Sequence, residues 1–199
     1  MNRSHPLGMA ALFLKTMGLN YTDGCVNFRD VGEYLELITG KALIPQGRLL
    51  RGGSIDHVKT HGEIDHAATI INLRNGEDVH TWDIDYLHFP MANKVEKYDT
   101  SQKEVRRWLN QIIRSFENPK LRLPVLVHCL SGKDRTGIVV AALLLIQGID
   151  REVIIEEYLL SEGEVKKELI EQAMNGMMPL DVYFKGVDLQ KVKANFPAR

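Results

Sequence analysis

Residues 123–146 read LPVLVHCLSGKDRTGIVVAALLLI, an apolar run broken once by ten residues that include a thiol, a lysine, an aspartate, an arginine and two glycines. The first part, LPVLVHC (123–129), is short, β-branched and continuously apolar, the pattern of a strand buried on both faces of a mostly parallel sheet. The last part, GIVVAALLLIQG (137–148), is too long for a strand and predicts a buried helix closed by Gly148. Strand, polar loop and buried helix in succession predict an α/β fold.

Outward from this stretch the same alternation continues. ATIINLR (68–74) repeats the buried-strand pattern, and IDYLHFP (84–90) alternates as a further strand. Between them and residue 123, apolar residues at 105, 108, 109, 112, 113 and 116 have helical spacing, and Pro119 follows the end. After Gly148, Asp150 is placed as an N-cap for REVIIEEYLLSEG (151–163), and VKKELIEQAMNG (165–176) and DLQKVKANF (188–196) add helices. The expected architecture is a mostly parallel central sheet flanked by helices, with a helical C-terminal third. No repeat, low-complexity tract or composition shift divides the 199 residues, so a single domain over 1–199 is expected.

A formal net charge of -1 gives no global attraction to nucleic acid or an anionic membrane, so an anionic ligand needs a local cluster of cations. The two cysteines, Cys25 and Cys129, are too few for a disulfide scaffold and lack zinc-site spacing, which favours a reducing, cytoplasmic setting, with secretion left open. The segment MNRSHPLGMAALFLKTMG (1–18) has a basic residue before an apolar stretch that is short for a signal peptide and lacks a clear cleavage site. A short amphipathic helix packed on the domain is the expectation there. No run reaches the length of a membrane span, and stable membrane insertion is not expected.

The ten interrupting residues have a chemical reading. With Cys129 at the C-terminal end of the strand and Arg135 at the start of the helix, residues 130–135 (Leu130, Ser131, Gly132, Lys133, Asp134 and Arg135) form a tight loop at the sheet edge where α/β proteins bind ligands. A loop feeding a helix N-terminus aims backbone N–H groups at one point, with the helix dipole behind them, and so cradles phosphate. The expectation is that Gly132 leaves room for the phosphate and that Gly137 lets the helix pack closely on the sheet. N–H dipoles and a fixed guanidinium favour thiolate over thiol, which makes Cys129 a nucleophile in line with phosphorus. Arg135 can grip two equatorial oxygens. Thr136 can reach back toward the sulfur, and His128 is expected to order the loop through hydrogen bonds.

HCLSGKDRTG (128–137) resembles the active-site loop of the cysteine-dependent protein tyrosine phosphatase superfamily. More narrowly, the chain resembles its bacterial and fungal branch, in which the loop is preceded by an NFRD motif. Here that motif is NFRDVGEYL (27–35), followed in the family's order by GRLLRGGSID (47–56), IINLRNGED (70–78), YLHFP (86–90) and EEYLLS (156–161). The resemblance spans about residues 25–161. It implies a phosphotyrosine-phosphatase-like fold and hydrolysis of phosphate monoesters through a cysteinyl phosphate, with neither metal nor cofactor. It also implies that Arg29 and Asp30 lie near the active-site face, either positioning the loop or forming a structural ion pair. The implied partner is a phosphoprotein bearing phosphotyrosine, with dual specificity possible, or alternatively a phosphoinositide or inositol phosphate.

The chain departs from the pattern at the general acid. Many relatives carry an aspartate after the strand equivalent to YLHFP; here the loop is MANKVEKYD (91–99), with Asn93 about where that aspartate would stand, and an amide cannot donate the proton. Asp134 lies inside the loop itself, and the chain resembles the myotubularin-like and GKDRTG phosphatases in having an acid immediately before the arginine. That resemblance makes Asp134 the expected acid, with Asp99 second and Asp83 or Asp85 behind, and a structural carboxylate is the competing reading of Asp134. Lys133 suits a second substrate phosphate or simply a solvated rim, and Arg48, Arg51 and Arg74 are candidates to line the cleft. His57, His61, His66, His80 and His88 lack metal-site spacing and are expected on the surface. Cys25 reads as a buried thiol, with a protective disulfide to Cys129 as the alternative. MPLDVYFKG (178–186) is a candidate cleft cover or dimer contact. Two other functions compete: a rhodanese-like sulfurtransferase, disfavoured by Arg135-Thr136-Gly137, and a phosphate-binding module without turnover.

Overall fold

The computed structural model describes residues 24–79 and 82–196; the segment 1–18 and His80 fall outside these. Five strands form one sheet: β1 (Arg29–Asp30), β2 (Leu49–Gly52), β3 (Thr69–Asn72), β4 (Asp85–His88) and β5 (Val125–His128), in the order β1-β2-β5-β3-β4. β2, β5, β3 and β4 run parallel, and the two-residue β1 closes one edge antiparallel to β2. In register, Gly52 and Asn72 flank His128, so the C-terminal ends of three strands share the edge from which Cys129 emerges.

Seven helices flank the sheet among the described residues: α1 (Val31–Thr39), α2 (Lys103–Ser115), α3 (Asp134–Gln147), α4 (Arg151–Leu159), α5 (Lys167–Gly176), α6 (Leu180–Tyr183) and α7 (Leu189–Asn195). α3 carries the uninterrupted apolar run, and every residue from Thr136 to Ile146 is buried. It ends where Gly148 turns into the left-handed region at φ 83°. Strand alternation divides the core. Leu49, Ile71, Val125 and Val127 join a large cluster with the helices, while Leu50, Ile70 and Leu126 face a smaller one closed by Cys25, Phe28, Ile55 and Ile64. α2 buries Val105, Trp108, Leu109, Ile112 and Ile113, the stripe that its spacing predicts.

The strands at 68–74, 84–90 and 123–129 form where the sequence places them, although shorter, and the buried helix begins at Asp134 rather than after the loop. Asp150 caps α4 by accepting from the Glu152 amide at 2.9 Å. No described helix is long and apolar enough to cross a membrane.

Candidate active site

Cys129 leaves β5 almost wholly buried, 2% exposed, and the chain then turns through Leu130, Ser131, Gly132 and Lys133 into α3. Three successive carbonyls of this turn are tied outward by residues from two segments, one along and just after β2 and one just before β1. Leu130 O accepts from the Ser54 amide at 2.9 Å. Ser131 O accepts from Asn27 Nδ2 at 2.8 Å, and Gly132 O from Arg51 Nη2 at 2.9 Å. In a trans peptide the N–H points opposite to the carbonyl, so the amides of Ser131, Gly132 and Lys133 turn to the inner side. The first amides of α3 add donors that no intrahelical carbonyl can satisfy. The result is a set of backbone N–H groups on one side of the turn, at the N-terminus of a fourteen-residue helix, a geometry able to cradle an anion.

The two glycines act differently from the sequence expectation. Gly132 has φ 68°, and a Cβ there would lie 2.4 Å from the Gly52 carbonyl carbon and 2.6 Å from the Gly53 nitrogen. It is required by left-handed backbone and by contact with the end of β2, not by clearance for a ligand. A Cβ on Gly137 would lie 2.7 Å from the Tyr158 ring, so this glycine brings α3 close to α4 rather than to the sheet.

Arg135 is partly buried, and its Nη1 donates to Leu73 O at 2.7 Å and Met91 O at 3.5 Å. These carbonyls fix one edge of the guanidinium, while Nε and Nη2 make no hydrogen bond among the described residues and remain a free fork. Asp134 accepts from the Tyr98 hydroxyl at 2.5 Å, and Tyr98 in turn meets the Tyr158 hydroxyl at 2.7 Å. Burial, with Asp134 and Tyr158 beside it, raises the Tyr98 phenol far above its usual range, so it stays a neutral donor.

The remaining acid candidates lie elsewhere. Asp99 accepts from Ser101 Oγ at 2.5 Å and Gln102 Nε2 at 3.0 Å, and these bonds hold its carboxyl below the usual range. Asp83 and Asp85 pair with Arg122 at the start of β4, the sheet edge opposite Cys129. Arg48 is at that same far edge, ahead of β2, and is not available to line the cleft.

Under the cradle lies an ionic cluster. Antiparallel pairing sets Arg29 opposite Arg51, and Glu157 of α4 lies between them, bonding Arg29 Nε at 2.8 Å and Arg51 Nη1 at 2.5 Å. All three are essentially excluded from solvent. Burial pushes the Arg51 guanidinium down to about 10, with Arg29 adding to the push and Glu157 opposing it. Burial alone would raise Glu157, but the two guanidiniums outweigh it and hold the carboxyl below its ordinary value. Arg51 is thus a buried support of the loop rather than a cleft-lining cation. Arg29 reaches the loop indirectly, through Glu157 and Arg51 and through the Asn27 carbonyl to which its Nη1 donates at 3.3 Å. Asp30 does not pair with Arg29; it caps α1, accepting from the Gly32 and Glu33 amides, and anchors the Gly47 amide.

His128 Nε2 meets Asp78 Oδ2 at 2.8 Å, both side chains fully buried, so it braces the segment after β3 instead of the phosphate loop. Arg74 is paired through Nη1 with Asp56 at 2.7 Å and Asp78 at 3.2 Å, so its charge is already offset by two carboxylates. Thr136 Oγ1 is buried without a hydrogen bond among the described residues. Lys133 is partly exposed and approaches Gly163 on the segment after α4; Leu130, 61% exposed, stands at the rim. Cys25 packs under β2, its Sγ 3.5 Å from Gly53 O, and burial pushes its thiol up to about 12. His61 stacks on Trp82 and meets His66 edge-on. No group of three His, Cys, Asp or Glu among the described residues is placed to hold a metal.

Asn27, Glu157, Tyr98, Tyr158 and Asp78 are site residues that the sequence reading missed. Asn27, Asp78, Glu157 and Tyr158 carried a signal, since they lie in NFRDVGEYL, IINLRNGED and EEYLLS; Tyr98 is recognisable only from its long-range contacts. MPLDVYFKG packs along α2, with Arg106 donating to the Tyr183 carbonyl, and does not cover the cradle.

Comparison with known proteins decides the class. Residues 21–194 match the model of the tyrosine phosphatase family. The chain belongs to that family. A 42-residue stretch is 57% identical to the triple specificity protein phosphatase PtpB of Mycobacterium tuberculosis, covering 21% of this chain but only 15% of that protein. Among solved structures, the Siw14 catalytic core superposes with a TM-score of 0.55 at 17% identity, covering 80% of this chain and 94% of that one. The core catalytic domain of the PP-IP phosphatase SIW14 from S. cerevisiae gives 0.53 at 17% identity, over 78% and 95%. These likenesses show a shared fold. As a member of the tyrosine phosphatase family, the protein is a phosphatase.

Proposed function

We propose that the protein hydrolyses phosphate monoesters through a cysteinyl phosphate at Cys129, acting on phosphotyrosine proteins and on phosphoinositides. The observation that carries this reading is the outward tethering of the Leu130, Ser131 and Gly132 carbonyls, which turns the loop amides toward one point beside Cys129. An anion held there faces the sulfur, the free edge of Arg135 and the N-terminus of α3.

The Cys129 thiolate attacks phosphorus, forming an S–P bond as the P–O bond to the leaving group breaks. Asp134 gives its proton to the departing oxygen. Tyr98 donates to Asp134 Oδ1, which leaves Oδ2 as the oxygen available to hand over the proton. Arg135 and the loop amides stabilise the charge spread over the equatorial oxygens. Water then attacks phosphorus and gives a proton to Asp134, and the S–P electron pair returns to sulfur as phosphate leaves. Asp99 is poorly suited to the acid role because its hydrogen bonds favour the ionised form.

The lipid arm of the proposal rests on Lys133, a partly exposed cation at the loop rim that makes no ion pair among the described residues and is free to meet a second phosphate. The description of PtpB as triple specific accords with a site that accepts more than phosphotyrosine. The test is phosphate release from matched phosphotyrosine, phosphoserine and phosphoinositide panels in reducing buffer with a chelator. Turnover of both phosphotyrosine and phosphoinositide is expected, with Lys133→Ala lowering kcat/KM selectively on the lipid. Equal losses on both panels would remove the role assigned to Lys133.

A further inference from the structure

α2 carries a second cationic feature that shares no residue with the cradle. Opposite its buried stripe, Lys103, Arg107, Asn110 and Arg114 follow one another at intervals of four, three and four, with Arg106 beside Arg107, which places them on one face of the helix. They line a groove of about 320 Å³ against the segment around Tyr183–Gly186, where Lys185 adds a fifth cation. No carboxylate lines this groove.

Three observations separate the groove from an ordinary solvated basic face. First, none of these five cations forms an ion pair among the described residues, whereas Arg74, Arg122, Lys166, Lys167 and Lys191 do. Second, the groove is preorganised. Arg106 donates from Nε to Tyr183 O at 3.0 Å and from Nη2 to Val182 O at 2.5 Å, and its guanidinium lies 5.1 Å from the Tyr183 ring centroid. Arg114 Nη2 donates to Gly186 O at 2.9 Å. Main-chain carbonyls therefore fix two guanidiniums, while Lys103, Arg107 and Lys185 stay free at the margins. Third, the nearest acids are otherwise placed: Glu117 accepts from the Asp188 amide, and Glu104 and Asp181 lie outside the lining. Five like charges held together in a chain of formal net charge -1 create a local positive field with no internal counter-charge.

We propose that this groove is a second anion site, taking a multiply phosphorylated group such as an inositol polyphosphate, free or as a lipid headgroup. From Lys103 to Arg114 the helix advances about 16 Å, enough for several phosphates and more than one phosphate requires. The lining offers donors and a single aromatic ring, which suits a compact polar anion and not an apolar ligand. Arg107 and Lys103 engage one end of the ligand and Lys185 the other.

The test compares the Arg135→Ala protein, whose cradle holds phosphate weakly, with the same protein also carrying Lys103→Ala, Arg107→Ala and Lys185→Ala. These three side chains bond no carbonyl, so the fold survives their loss, which a matched thermal midpoint confirms. Calorimetric titration with inositol hexakisphosphate forms one arm. Sedimentation with phosphatidylcholine vesicles, with and without phosphatidylinositol 4-phosphate, forms the other. The expected result is about a tenfold loss of affinity in the triple variant in at least one arm. The arm that binds identifies the source of the phosphates. In the wild-type background the triple variant keeps its kcat/KM on p-nitrophenyl phosphate. Binding in neither arm, or binding that the three substitutions leave unchanged, overturns the proposal.

Discussion

Asp134 and Cys25 show how single side chains acquire or lose a chemical role from their surroundings. Asp134 is held by Tyr98 at 2.5 Å, and this contact orients the proposed acid. Asp134→Ala is expected to slow hydrolysis of an alkyl phosphate by about 10² to 10⁴-fold while sparing an aryl phosphate whose leaving group needs no proton. Equal slowing of both esters would assign Asp134 a structural role only. Tyr98→Phe is expected to cost about three- to tenfold on the alkyl ester alone, the worth of one hydrogen bond. Cys25 stays protonated to about pH 12 because burial disfavours its thiolate. Its contribution to stability is full below the ordinary thiol range and is lost as pH rises from there toward 12, since the unfolded chain gives up that proton first. Between pH 9 and 11, stability is expected to fall by up to about 1.4 kcal/mol per pH unit more steeply in the wild type than in Cys25→Ala. Denaturant melts at several pH values measure this, and parallel slopes in the two proteins would contradict it. The identities of Cys129 and Arg135 were legible because their spacing alone prescribes a phosphate loop. Tyr98 was not, because it lies 36 residues from its partner and no local pattern marks it.

The loop is shaped by elements distant from it in sequence. β1 supplies Arg29, the turn before it Asn27, β2 Arg51 and α4 Glu157, and these contacts span separations of 81 to 128 residues. Removing Glu157 would leave two buried guanidiniums face to face, and Glu157→Ala is expected to cost about 3 to 5 kcal/mol in chemical denaturation. The carboxyl is held below its ordinary value by Arg29 and Arg51, so its stabilisation is present above the usual glutamate range and is lost as pH falls below it. Gly132→Ala places a Cβ 2.4 Å from β2 backbone and in left-handed backbone, and is expected to reduce turnover before it unfolds the chain. A Gly132→Ala enzyme with wild-type kcat would show that the loop tolerates displacement from β2. The sequence offered more here than its functional reading used. Asp30 and Glu33 form a D-x-x-E helix start ahead of buried Val31, Leu35 and Ile38, so the motif that resembled an active-site element also encodes α1. β1 was not legible, because two residues carry no periodicity and the strand exists only through its pairing with β2.

Across the whole molecule, the apolar pattern specified the layers well. The continuous runs at 68–74 and 123–129 became the central strands β3 and β5, and the uninterrupted run after Arg135 became α3, buried on all sides. The pattern could not show which strands adjoin, and adjacency decides which candidate residues meet. Asp83, Asp85 and Arg48 are excluded from the site because parallel strands send their N-terminal ends to the edge opposite Cys129. Gly52 and Asn72, by contrast, arrive beside His128 because the three strands share a register. The central claim is that phosphate passes through sulfur at the one edge where these strand ends converge. The direct measurement is acid quench of the protein during turnover of a phosphotyrosine peptide, followed by mass spectrometry of the peptide containing Cys129. A phosphoryl group on Cys129 that forms within the first turnover, with no turnover by Cys129→Ser, is the predicted result. Sustained turnover by a folded Cys129→Ser protein, or turnover by the wild type without any phosphoryl group on Cys129, would contradict it.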